Sequence, residues 1–168
     1  MTTDIFIGLI GTPLDSDLFR EHLSKNHPPG QQEPDEIKAF PDTTFHNYHS
    51  LGISYSFDLP PANKTGAPRL AAIHFYNDGT SGYKRYKLKL ALPYGLELSA
   101  TGKAIVEVLG EPSNKTKFPK CCIVYSEKGV QVDLAAKDWE DPLYVAAALD
   151  GWGGNWAMGW TIHKRPHL

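Results

Sequence analysis

His46 and His49, three residues apart in Phe45-His46-Asn47-Tyr48-His49, come closest in this chain to a metal or acid-base motif. Imidazoles ligate metal ions and move protons near neutral pH. Thr44 to His49 has the composition of a strand, however, and residues three apart on a strand face opposite ways. The two rings then cannot meet on one ion, and no further Cys or His stands at ligand spacing. No metal site is expected. Cys121 and Cys122 are the only cysteines and are neighbours. A bond between adjacent cysteines is strained and closes no useful loop, which excludes a disulfide framework. Lys120 could favour the Cys121 thiolate, yet the surroundings of a cysteine nucleophile are missing, and a small buried hydrophobe is the plainer role. Asp138, Glu140 and Asp141 flank Trp139 in one stretch; two carboxylates can cooperate in hydrolysis, but a solvated acidic turn accounts for them more simply. No Gly-x-Ser-x-Gly elbow, phosphate loop or dinucleotide fingerprint occurs. His46, His49 and Cys121 remain weak catalytic alternatives, and no cofactor is expected.

Aromatic side chains give the stronger signal. Gly151 to Trp160 places Trp152, Trp156 and Trp160 four apart in a glycine-rich segment. Its glycines disfavour a helix, so the indoles are expected on a loop or a loosely ordered strand. Trp is enriched in binding hot spots and also stacks on sugars and cations. The competing expectation is a lid whose rings fold back into the core. Tyr55, Tyr76, Tyr83, Tyr86 and Tyr94 complete the set of candidate interface residues.

The elements that must position these residues follow from periodicity. Ile5 to Ile10 is a short apolar run without a basic leader, read as a buried strand rather than a signal peptide or membrane span. Leu14, Leu18 and Leu23 have helical spacing within Pro13 to Leu23, with acidic residues near the start. Asn26 to Asp42 carries Pro28, Pro29, Gly30, Pro34 and Pro41, and is expected as a loop with a turn of helix around Asp35 to Ala39. Strands are expected at Thr44 to His49, Ile53 to Asp58 and Leu70 to Tyr76, with a turn at Ser50 to Gly52. Thr101 to Leu109 reads as a helix with Thr101 as cap, Ile105, Val108 and Leu109 on one face, and Gly110 and Pro112 as its stop. Strands follow at Cys121 to Ser126 and Val130 to Leu134, then a strand or short helix at Leu143 to Leu149. Each half thus reads as helix, loop, hairpin and strand.

The expected fold is α+β. Two helix-plus-antiparallel-meander units, at 5–90 and 91–160 of one domain spanning 1–168, form one twisted antiparallel sheet with helices on one face. A chain of 168 residues with 41% hydrophobic and 11% aromatic content can fill one core. A net charge of −2 gives no bulk attraction for nucleic acid or an anionic membrane. Lys84, Arg85, Lys87 and Lys89 fit a solvated face. Unpaired cysteines and the lack of an export signal lead to an expected cytoplasmic setting.

Leu92-Pro93-Tyr94-Gly95-Leu96, the short helix, Leu109-Gly110-Glu111-Pro112 and the hairpin after it resemble a loose group of small microbial proteins, some of which look like immunity proteins of toxin systems. The helix-plus-meander unit is also similar to that of the β-lactamase inhibitor protein and of the small lipoprotein of the outer-membrane barrel-assembly machinery. The likeness covers Leu92 to Leu134, about a quarter of the chain. It departs from both in lacking the inhibitor's disulfides and the lipoprotein's lipid-attachment leader. What the resemblance implies is a binding fold. The leading expectation is a non-catalytic intracellular module of inhibitor or immunity type whose partner is another protein. The alternatives are a small-molecule enzyme or carrier with an aromatic pocket, and a sugar-binding protein using the tail tryptophans.

Overall fold

The computed structural model describes residues 5–60, 65–76, 82–95, 102–116, 122–125, 128–134 and 157–163. Among these residues three α-helices, α1 (Ile5–Leu9), α2 (Asp17–Asn26) and α3 (Gly102–Leu109), accompany eight strands. The strands are β1 (Glu36–Ala39), β2 (Thr43–Tyr48), β3 (Ile53–Asp58), β4 (Arg69–Tyr76), β5 (Asn114–Thr116), β6 (Cys122–Tyr125), β7 (Val130–Leu134) and β8 (Ala157–His163). All eight form one antiparallel sheet in the order β1-β2-β3-β4-β8-β7-β6-β5. The α+β class is therefore the observed one. The order is mirrored about its centre: α1 and α2 precede one four-strand meander and α3 the other, each meander runs in from an edge, and their last strands, β4 and β8, pair antiparallel.

Alternation along β3 sorts the two faces of the sheet. Ile53, Tyr55 and Phe57 are fully buried in the same cluster as Phe6 and Leu9 of α1, Phe19 of α2, and Ile105 and Leu109 of α3. Ile73 and Phe75 of β4 and Ile123, Val130 and Val132 beyond β8 extend that cluster into the second half. The helices thus cover one face and share one core, whose large side chains contribute roughly 1.5–3 kcal/mol each. Ser54 and Ser56 lie on the opposite face.

Several elements differ from the sequence expectation. Ile5–Leu9 is a helix, not a strand: Phe6 and Leu9, three apart, share its buried face, while Ile5 is exposed. It is fastened to β4 where the Gly11 N–H donates to the Leu70 carbonyl and the Leu70 N–H to the Thr12 carbonyl. The second helix begins later than Pro13. Ser16 caps it, its Oγ accepting from the Phe19 N–H at 3.2 Å, so Phe19 and His22 turn inward and Leu18 faces solvent. Asp35 to Ala39 is not a helical turn; Glu36–Ala39 pairs with β2 as the sheet edge. For the tail segment, expected as a loop or a loosely ordered strand, the strand is the outcome along Ala157–His163, at the centre of the sheet and bonded to β4 on one side and β7 on the other. The stop of α3 stands as expected. Gly110 ends α3 with φ 85°, where L side chains are strained, and the Tyr125 hydroxyl donates to its carbonyl at 2.8 Å. Leu143 to Leu149, the Thr101 cap and the Gly151–Trp156 stretch lie outside the described residues.

Candidate functional site

Antiparallel register carries one row of polar residues across four strands of the face that no described helix covers, here the open face: Glu36 opposite Asn47, Asn47 opposite Ser54, Ser54 opposite His74. Side chains in such a row are near neighbours, and here they are joined. Glu36 Oε1 accepts from Asn47 Nδ2 at 3.1 Å and pairs with His49 Nε2 at 3.2 Å. Ser54 donates to Asn47 Oδ1 at 2.6 Å. The Asn47 and His49 hydrogen bonds, in that order, hold the Glu36 carboxyl below its ordinary range. Glu36 is therefore a fixed, ionised acceptor.

Tyr83 closes the row from above. Its phenol bonds to Ser54 and Tyr76, but burial is the larger influence and pushes its pKa up. Ser54 thus joins Asn47 on one side and the Tyr83 phenol on the other. The Tyr83 ring lies between two others, parallel to Tyr76 at 3.7 Å and tilted against His49 at 4.3 Å. His74, Phe45 and Phe40 continue the arc, with successive centroid separations of 6.5 Å from Tyr76 to His74, 6.4 Å to Phe45 and 5.7 Å to Phe40. With Lys38 these residues line a shallow, solvent-open cleft of ≈ 340 Å³.

Gly52 decides where Tyr83 sits. The segment after Tyr83 crosses the β2–β3 turn, its backbone bonded from the Lys84 N–H to the His49 carbonyl and from the Tyr86 N–H to the Tyr76 carbonyl. A Cβ on Gly52 would collide with the Lys84 carbonyl oxygen and the Tyr86 nitrogen, and the residue has φ 71°. Glycine alone permits that crossing.

Of the residues singled out from sequence, Tyr76, Tyr83 and His49 come together in this cleft. His46 is on the other side of β2, edge-on to Phe57 at 5.1 Å, with its pKa lowered by burial against the opposing pull of Glu33. The two histidines do not meet. Tyr55 is wholly inside the core and offers nothing to a partner, because its position on β3 falls on the helix-covered face. Tyr86 packs edge-on to Phe75 at 5.2 Å and donates to the Leu90 carbonyl. Tyr94, at φ 62°, packs against the core and donates to the Lys128 carbonyl. Cys122 is buried. Trp160 is placed by its backbone alone, paired with Phe75 and Val132. Cys121, Trp152, Trp156, Asp138, Glu140 and Asp141 lie outside the described residues. Glu36, Lys38, Phe40, Phe45, Asn47, Ser54 and His74 were not singled out from sequence; the alternation that marks Ser54 and Ser56 as one face was the only trace of them.

The arrangement suits recognition. Ser54 donates to an amide oxygen, which is no base, and so is not an activated nucleophile. Among the described residues no group of three His, Cys, Asp or Glu could hold a metal ion. No described helix is long and apolar enough to cross a membrane. No known protein family, curated protein or solved structure matches this chain.

Proposed function

We propose that this chain is a non-catalytic binding module of inhibitor or immunity type, acting in the cytoplasm, which receives another protein on the open sheet face. One observation carries the reading: an arc of aromatic rings around a carboxylate that two neighbours hold ionised, in a shallow cleft built on rigid strands. Aromatic rings with few rotatable bonds, set beside a fixed charge, are the composition of interface hot spots. Phe40, half exposed at the rim, is the natural anchor, and Glu36 the natural partner for a basic or amide donor.

The test uses a partner recovered with the full chain from its native source. Phe40→Ala is expected to weaken that complex about tenfold or more, the cost of an interface anchor. Glu36→Gln keeps the shape and removes the charge, and is expected to slow association and to flatten its salt dependence. Unchanged affinity in both variants would remove the open face from the account. A second reading, a small-molecule carrier, is favoured by the cleft volume of ≈ 340 Å³, which falls within the range of ligand pockets. Its shallowness favours a protein surface instead.

A further inference from the structure

On the opposite face of the sheet, buried hydrogen bonds join α2 to β3 in one direction only. Asn26 Nδ2 donates to the His22 carbonyl at 3.1 Å, which fixes the amide, and lies 3.2 Å from His22 Nδ1. His22 Nδ1 is therefore an acceptor, and the proton of the neutral ring is on Nε2. His22 Nε2–H then donates to Tyr55 Oη at 2.8 Å. At the other end His27 Nδ1 is 3.2 Å from the Gln31 carbonyl, which only accepts, so the His27 proton is on Nδ1. His27 Nε2 consequently accepts from the Tyr55 hydroxyl at 2.9 Å. Every donor has one acceptor. A further proton on His27 Nε2 would set a donor against the Tyr55 proton, and one on His22 Nδ1 would face the Asn26 amide hydrogens.

The surroundings offer a cation nothing in return. Phe6 of α1 stands edge-on to His22, Phe19 of α2 lies beside it, and the two imidazoles face each other at 5.9 Å. Tyr48 of β2 packs edge-on to His27 at 4.5 Å, and its hydroxyl is committed to the Gln32 carbonyl. Glu33 and Asp35 act on the Tyr48 hydroxyl, and Tyr86 on Tyr55. Burial lowers the pKa of both histidines, His22 to about 4, with His27 adding to the effect on His22 and the Gln31 carbonyl opposing it on His27.

The geometry points to a pH-sensitive latch: His22, Tyr55 and His27 hold α2 and the Pro28 to Gln32 loop on the sheet while both rings are neutral, and mild acid releases them. The released form exposes Tyr48, Tyr55 and Phe57, on the face away from the aromatic cleft, so the device is independent of the binding proposed above. The sign is fixed by linkage. A ring that is free to ionise only when α2 has swung away takes up a proton in the open form first, so acid favours opening. With His22 moved from 6.5 to about 4, its contribution to the opening equilibrium grows about thirtyfold between pH 7.5 and pH 5.

Native-state hydrogen exchange on the full chain, corrected for intrinsic rates, reads the opening of Leu18 to Asn26 against that of Ile53 to Phe57. Protection of the helix is expected to fall about thirtyfold from pH 7.5 to pH 5 and at each pH to stay well below that of the strand amides, which exchange only through global unfolding. A His22→Gln, His27→Gln double variant is expected to lose that dependence. Helix amides as well protected as the strand amides at both pH values, which leaves no separate opening of α2, or a pH dependence that survives the double variant, would overturn the latch. If the variant fails to fold, nitrogen chemical shifts of the two imidazoles in the native chain decide the matter. They are expected to show His22 protonated on Nε2 and His27 on Nδ1 at pH 7. The opposite tautomers, or a cationic ring at pH 6 in the closed form, would overturn it.

Discussion

Ser54 shows how one small side chain holds the cleft together. It is fully buried, donates to Asn47 and is hydrogen-bonded to Tyr83. Ser54→Ala leaves the Asn47 carbonyl oxygen and the Tyr83 hydroxyl without their partner, and is expected to cost about 1–3 kcal/mol in urea denaturation. Gly52→Ala acts on the same residue through the backbone. Its Cβ meets main-chain atoms, which cannot rotate away, and the φ of 71° adds strain. The expected loss is about 3 kcal/mol, with Tyr83 displaced from Tyr76. A Gly52→Ala variant of near-native stability would show that the crossing at Lys84–Tyr86 is not what places Tyr83. These partnerships were only partly legible in the sequence. Tyr76, Tyr83 and His49 could be named as aromatic or ionisable candidates. Their convergence depends on Gly52 and on a row of register that no local pattern encodes.

At the level of elements, the strongly alternating segments were the readable ones. Ile53–Asp58 and Val130–Leu134 alternate cleanly, and Arg69–Tyr76 is long and rich in apolar residues; all are strands. Ile5 to Ile10 was misread because a short unbroken apolar run fits a buried helix and a buried strand equally well, and Phe6–Leu9 spacing decides it only once the core is known. Glu36–Ala39 and Asn114–Thr116 are four and three residues long, and their pairing is supplied by β2 and β6 rather than by their own composition. The glycines around Trp152–Trp160 obscured β8 in the same way. The consequence for α2 is local: Ser16→Ala is expected to cost about 1 kcal/mol by thermal melting, since the Phe19 N–H loses its side-chain acceptor. The consequence of β8 is not local. Truncation after Trp156 leaves β4 and β7 with unpaired edges at the centre of the sheet, and is expected to abolish the single cooperative unfolding transition. A truncated chain that melts as sharply as the whole would contradict that placement.

The molecule as a whole has two faces with different chemistry. One is covered by helices, carries the core and buries two neutral histidines. The other is covered by no described helix and carries the aromatic arc around Glu36. Acid weakens the first. The unfolded chain binds protons at His22 below about 6.5 and the folded chain only near 4, so stability is complete above 6.5 and falls through that window by about 3 kcal/mol from His22. His27, shifted the same way, deepens the fall. Urea midpoints between pH 7.5 and 4.5 check this, and a flat profile would contradict the neutral pair. Binding, in contrast, is assigned to the open face. The most direct measurement is the hydrogen-exchange footprint of the recovered partner on the full chain. Protection is expected at Glu36 to Phe40 and at Tyr83 to Lys87, which border the cleft. A footprint confined to α1, α2 or α3, with the cleft segments unchanged, would contradict the open-face account.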